Sequence, residues 1–260
     1  RLENPLKNFK TLFVFPTKSS DFSKEDIPIS LGYMASLARM NQGCARTLTQ
    51  EVENFNIDNF KDYGLICFYP MVALFEKTMK MSERVKKDYP NSKICFFNSD
   101  QHQHEMLLCN PNAKEFGKRM MERYTSLDFV LIGEAESSFI QLCDKLNRGD
   151  SEFKNVPSCL YRKENEIKMS EKPIEPINFE FLPLASRDYL EEGIVSGVNQ
   201  KSPRIQSSKG CIAPCLYCVE SSSNITEGGR RKTILTGDIS RLINEIEMLQ
   251  KNYSVVFFNS

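Results

Sequence analysis

Cys211, Cys215 and Cys218 fall within eight residues of the stretch "SSKGCIAPCLYCVES" (207–221), in which Lys209 and Glu220 are the only charged residues. Thiolates at such spacing bind iron-sulfur clusters or zinc. A structural zinc site needs a fourth ligand, usually from a second Cys or His pair. None follows, because the chain's two histidines, His102 and His104, lie over a hundred residues upstream. Three thiolates on a cubane cluster leave one iron open, and an open metal position gives a site reactivity as well as structure. Zinc and reduced structural thiols remain the alternatives at this level.

The other six cysteines (Cys44, Cys67, Cys95, Cys109, Cys143, Cys159) are scattered among apolar neighbours, and nine is an odd total. That pattern argues against a disulfide framework and for a reducing compartment, with each of the six expected to be a small buried hydrophobe. His102 and His104 are two apart in a polar loop, so in extended chain they point to opposite sides, and a solvated loop is expected. The basic triplet Arg230, Arg231 and Lys232 follows two glycines and reads as solvated loop.

These residues need a frame. Forty per cent hydrophobic and 26% charged residues over 260 positions suit one large or two ordinary domains. Thirty-four basic residues balance thirty-four acidic ones, so no net field favours nucleic acid or an anionic membrane. No apolar run reaches the roughly 18 residues that span a bilayer, and "RLENPLKNFK" lacks an apolar h-region. A cytoplasmic protein is expected.

Short β-rich runs alternate with helical patterns through the first 150 residues. Strands are predicted at 11–15, 63–69, 92–98 and 127–132, and helices at 30–40, 73–90, near 113–124, and at 137–149, closed by Gly149. Such alternation predicts an α/β doubly wound, mostly parallel sheet covered on both faces. Residues 151–203 are richer in proline and are expected to form a surface connector, with a hairpin turned at Glu164 and Asn165. From 204 the strand-loop-helix pattern resumes, with an amphipathic helix at 236–253 and a strand at 254–258. Two strands and one helix cannot bury a core alone, so residues 204–260 are expected to be part of a larger unit.

The Cys-x3-Cys-x2-Cys loop with Tyr217 before its last cysteine resembles the hallmark of the radical S-adenosylmethionine enzymes. The order and spacing of "IPISLGYMASLARM", "DYGLICFY", "VKKDYPNSKICFF", "DFVLIGEAESSFIQL", "VPSCLYR" and "LPLASRDYL" are similar to the cobalamin-dependent branch of that family. The resemblance implies a Rossmann-like cobalamin-type domain over 1–150, a connector over 151–203 and the start of a TIM-type radical S-adenosylmethionine barrel over 204–260. It implies a [4Fe-4S] cluster on Cys211, Cys215 and Cys218, with S-adenosylmethionine on the open iron and near Tyr217, Asn259 and Ser260. It also implies cobalamin near Tyr69, Ser99, His102, Gly133 and Glu134, the last two otherwise readable as a turn glycine and a helix-start acid. The implied reaction is reductive cleavage of S-adenosylmethionine to a 5′-deoxyadenosyl radical, for methyl transfer or another modification of an unactivated centre. The substrate would be a small molecule or peptide, and the electron donor a flavodoxin or ferredoxin.

At one place the chain departs from that branch. Small residues commonly follow its third strand and a Gly-Gly pair its fourth, letting the nucleotide tail of cobalamin pass. Here stand "FYPMVA" and "FFNSDQHQHE", so Tyr69, Pro70 and Asn98 are expected to crowd the channel.

Overall fold

The computed structural model describes residues 10–18, 28–42, 44–98, 108, 112–173, 177–188, 204–209, 225–226, 229–230 and 235–253. Its centre is a seven-stranded sheet in the order β2-β1-β3-β4-β5-β6-β7. The strands are β1 (Lys10–Thr17), β2 (Ala45–Glu51), β3 (Tyr63–Phe68), β4 (Lys93–Phe97), β5 (Phe129–Leu131), β6 (Cys159–Lys163) and β7 (Glu166–Met169). β1 to β5 are parallel, while β6 and β7 are antiparallel to their neighbours. The order 2-1-3-4-5 is doubly wound and reverses between β1 and β3, where open sheets of this type form their ligand crevice.

Alternation along the strands divides the core in two. Phe13 and Phe15 of β1, Leu65 and Cys67 of β3, Cys95 and Phe97 of β4, and Phe129 and Leu131 of β5 face one layer, with α1 (Ile29–Gln42) and α4 (Glu136–Arg148). Leu12, Val14, Ile66, Phe68, Ile94, Phe96 and Val130 face the other, with α2 (Phe75–Asp88) and α3 (Ala113–Arg123). Because both faces are covered, these strands read in sequence as nearly continuous apolar runs.

The four expected strands and four expected helices of the first 150 residues are present within a few residues. β2 was not foreseen. Its sequence "ARTLTQE" is polar because it is an edge strand, paired only with β1. Gly149 ends α4 in the left-handed region (φ 73°), and the Asp150 N–H reaches the Lys145 carbonyl at 2.9 Å, closing the helix as expected.

The hairpin turned at Glu164 and Asn165 is also present, with φ of 51° and 65° at those residues, the pattern of a type I′ turn. It is not a surface appendage, however, since β6 pairs with β5 and extends the main sheet. Part of the described connector is likewise sunk into the protein: Phe179, Leu182, Ala185 and Arg187 are buried, while Phe181 is exposed. Gly32 makes this possible, because a Cβ there would lie 2.5 Å from the Ser186 carbonyl oxygen, and the Ser186 N–H instead donates to the Gly32 carbonyl at 3.0 Å.

Beyond the connector stand β8 (Ser208–Lys209), β9 (Ile225–Thr226), β10 (Gly229–Arg230), β11 (Leu235–Thr236) and α5 (Ile239–Tyr253). Leu249 of α5 joins the core cluster on the α1 and α4 side. The strand expected at 254–258 lies outside the described residues.

Candidate functional site

One short ladder brackets the cysteine segment in sequence. β8 and β11 pair antiparallel, Lys209 opposite Leu235 and Ser208 opposite Thr236, and the Gly237 N–H donates to the Ser207 carbonyl at 3.1 Å. Residues 210–234 thus connect β8 to β11, an excursion in sequence whose two ends are paired. Cys211, Cys215, Cys218 and Tyr217 fall in it and lie outside the described residues, as do Asn259, Ser260, Ser99, His102 and His104.

The base of the excursion is fixed by charge. The Lys209 ammonium forms an ion pair with the Glu136 carboxylate, and the two side chains are only 5% and 2% exposed. Glu136 is the first residue of α4, three residues beyond Gly133, and so marks the carboxyl edge of the parallel strands. Burial works to lower the Lys209 pKa, but the carboxylates of Glu136 and Glu134 outweigh it and hold the ammonium protonated above its ordinary range. Lys209 is two residues from Cys211, and consecutive Cα atoms are about 3.8 Å apart, so the cysteine segment starts from this edge of the sheet.

A second buried ion pair joins the connector to α5. The Arg187 Nη2 donates to Glu245 Oε1 at 2.6 Å and to the Arg204 carbonyl at 2.8 Å, with the two side chains 1% and 0% exposed. Between the pairs stands Tyr33 of α1, whose pKa is raised to about 12 by burial and by the negative charge of Glu245, against the opposing pull of Arg241 and Arg187. Arg241 lies over the Phe179 ring, 4.6 Å from its centroid, and donates to the Pro183 carbonyl at 3.1 Å. Next to Arg187 in sequence, Asp188 binds the opposite way: it accepts from Arg39 Nη2 at 2.9 Å and from the Thr47 N–H at 3.0 Å. Adjacent residues of "SRD" therefore grip α5 on one side and α1 and β2 on the other.

None of Lys209, Glu136, Arg187, Glu245 or Tyr33 is marked for a site by the sequence. Charged residues beside apolar runs were the available signal, and pairing over 58 and 73 positions hid it.

The remaining candidates stand at the carboxyl edge. Gly133 has φ 76° and donates to the Leu108 carbonyl at 2.7 Å, which suits a turn glycine. Glu134 is half-buried beside Lys209. Tyr69 is 1% exposed and sits inside the α1 and α4 layer, tilted against Phe15 (centroids 6.0 Å apart) and edge-on to Phe97 (5.8 Å). Phe97 meets Phe13 edge-on at 6.1 Å, and Phe13 meets Phe139 at 5.3 Å, so five rings run without a break from the edge of the sheet to α4. The buried Asn98 donates to the Pro70 carbonyl at 3.0 Å and ties the ends of β3 and β4 together. A cofactor tail entering this layer would have to displace these rings, which pack between the sheet and helices α1 and α4.

Among the described cysteines, Cys67, Cys95, Cys143 and Cys159 are buried, whereas Cys44 is exposed, contrary to the expectation of burial; none of the five is in a disulfide. Cys44 stands just before edge strand β2, and its carbonyl accepts from the Thr11 N–H at 3.2 Å. Burial pushes the thiols of Cys67, Cys95 and Cys159 up in pKa, which makes them unreactive packing groups. Among the described residues no His, Cys, Asp and Glu cluster could hold a metal, and no helix is long and apolar enough to cross a membrane.

No protein-family model matches the sequence. An uncharacterized methyltransferase of Pyrococcus horikoshii is 24% identical to it, over 96% of this chain and 52% of that protein. A solved structure of the radical S-adenosylmethionine methyltransferase TsrM from Kitasatospora setae, with cobalamin and a [4Fe-4S] cluster bound, is similar with a TM-score of 0.62 at 11% identity, covering 93% of this chain and 45% of that one. The apo structure of OxsB, a cobalamin-dependent S-adenosylmethionine radical enzyme, gives 0.63 at 17% identity, covering 95% and 33%. The chain shares its fold with the matching parts of these two solved structures, as the motif order suggested, and spans about half the length of the curated relative.

Proposed function

We propose that this chain is part of a radical S-adenosylmethionine enzyme that modifies an unactivated centre, by methyl transfer or by another radical step, on a small molecule or peptide. The observation that carries the reading is the anchoring of the cysteine segment, through Lys209 and Glu136, at the carboxyl edge of a doubly wound sheet. Cys211, Cys215 and Cys218 would hold a [4Fe-4S] cluster: three thiolates at this spacing, with no fourth protein ligand nearby in sequence, suit a cluster with one open iron. When bound, such a cluster supplies the electron that cleaves S-adenosylmethionine to methionine and a 5′-deoxyadenosyl radical. Tyr217, Asn259 and Ser260 are the residues assigned to S-adenosylmethionine, the last two as acceptors for its ammonium. A flavodoxin or ferredoxin would deliver the electron.

The stack of rings from Phe15 to Phe139 favours the form of this reading in which the Rossmann-like unit is a platform that has given up a tail-bound cobalamin. No step is therefore assigned to that cofactor.

The test is anaerobic reconstitution of the chain within its full-length protein, followed by iron and sulfide analysis, an ultraviolet-visible spectrum and assay for 5′-deoxyadenosine. Broad visible absorption, about four irons per chain and reductive cleavage are expected, all lost in Cys215→Ala. A colourless zinc protein, or a Cys215→Ala variant that keeps its iron and its cleavage, would overturn the assignment.

A further inference from the structure

Two buried ion pairs hold residues 204–253 against the Rossmann-like unit, and they differ in what they hold. Arg187 and Glu245 join the connector to a long helix that also packs by Leu249. Lys209 and Glu136 join a strand of two residues to the first turn of α4. β8 is too short to fix its own direction, because its ladder to β11 comprises two residue pairs. Apolar packing is non-directional, so it would bury this strand without setting which way its end points. A desolvated ion pair has the opposite character: it is weak evidence for stability, since apolar replacements of similar volume often stabilise as well or better, but it demands one geometry.

We propose that Lys209 and Glu136 are a positioning couple that aims the root of the cysteine segment at the carboxyl edge of the sheet. The couple works because its two ends are rigid in different ways. Glu136 is part of a thirteen-residue helix entered from the Gly133 turn, and the Gly133 N–H is held by the Leu108 carbonyl. Lys209 is the last described residue before the excursion that bears all three clustered cysteines. The functional consequence, that the cluster is aimed at whatever binds the sheet edge, rests on the reading of Cys211, Cys215 and Cys218 given above. The placement of the segment's root does not.

Hydrogen exchange of the purified chain, followed by mass spectrometry, tests the couple. In Lys209→Met with Glu136→Gln, which removes both charges of the buried pair together, the amides of 205–209 and 133–138 are expected to exchange about tenfold faster, while those of β1, β3 and β4 keep their rates. Lys209→Arg alone should hold the original rates within about twofold, since it keeps the charge and its reach. Unchanged exchange in the neutral pair would overturn the proposal. So would loosening spread evenly over every strand, or outright failure to fold, because either would make the pair a general support and not a local one. Iron content measured on the same variants separates the two readings: a chain that binds no iron yet loosens locally sinks the cluster and leaves the couple standing.

Discussion

A buried tyrosine, Tyr33, reports most directly on the contact between the two parts of the chain. Its ordinary pKa of 10 is raised to about 12 by burial and by Glu245. Below pH 10 the hydroxyl is neutral whether the chain is folded or not, and the contribution to stability is complete. As pH rises from 10 to about 12, the unfolded chain ionises Tyr33 while the folded one does not, so stability falls by up to about 3 kcal/mol. Denaturant titrations of the parent and of Tyr33→Phe should differ in slope over that window only, with the variant less sensitive to alkali. Equal slopes would mean that Tyr33 is not buried against Glu245. A further change at this scale is Arg187→Met, which would strand the Glu245 carboxylate in a site with 0% exposure. A loss of about 3–5 kcal/mol is expected, and Glu245→Gln in the same chain should recover most of it.

The elements carry their own constraints. α1 must lie close under the connector because Gly32 meets Ser186 backbone to backbone. Gly32→Ala places a methyl group 2.5 Å from a carbonyl oxygen, and a loss of about 1–3 kcal/mol is expected from the forced separation, measurable as a lowered melting temperature. An unchanged melting temperature would show that the connector does not dock there. The β6–β7 hairpin offers a gain. Glu164 and Asn165 both have positive φ, which Asn and Gly adopt at less cost than Glu. Replacing the pair by Asn-Gly should raise the midpoint of unfolding by the equivalent of about 0.5–1 kcal/mol without altering the slope against denaturant.

Across the whole molecule, one likeness and one departure meet. The fold aligns over 93% and 95% of the chain with TsrM, solved with cobalamin bound, and with OxsB, a cobalamin-dependent enzyme. Yet the layer between sheet and helices α1 and α4 is filled by Phe15, Tyr69, Phe97, Phe13 and Phe139. Hydroxocobalamin and cobinamide, which lacks the nucleotide tail, therefore distinguish a tail-bound corrin from any other association. The two are expected to bind equally, within about threefold, or not at all. Binding of cobalamin about tenfold tighter than cobinamide, with the spectrum of a displaced base, would show that the rings move aside.

The sequence alone determined the parts of this protein whose causes are local. Strand and helix periods follow from which side chains must reach a core, so "TLFVF", "YGLICFY" and "SKICFFN" were legible as strands. Gly149 and the Glu164–Asn165 turn were legible because backbone conformation restricts the residues that tolerate them. The clustered cysteines stand out because metal ligation imposes spacing, although they lie outside the described residues. β2 escaped because an edge strand has a weak apolar pattern, and the connector looked like surface because prolines break periodicity without saying what lies above or below them. What only the tertiary structure decided is pairing between distant charges. Whether Lys209 finds Glu136, or Arg187 finds Glu245, depends on how sheet, connector and helix stack, and no local rule contains that information. Tyr69 likewise became part of a ring stack and not an open ligand surface only when β1, β3 and β4 were laid side by side.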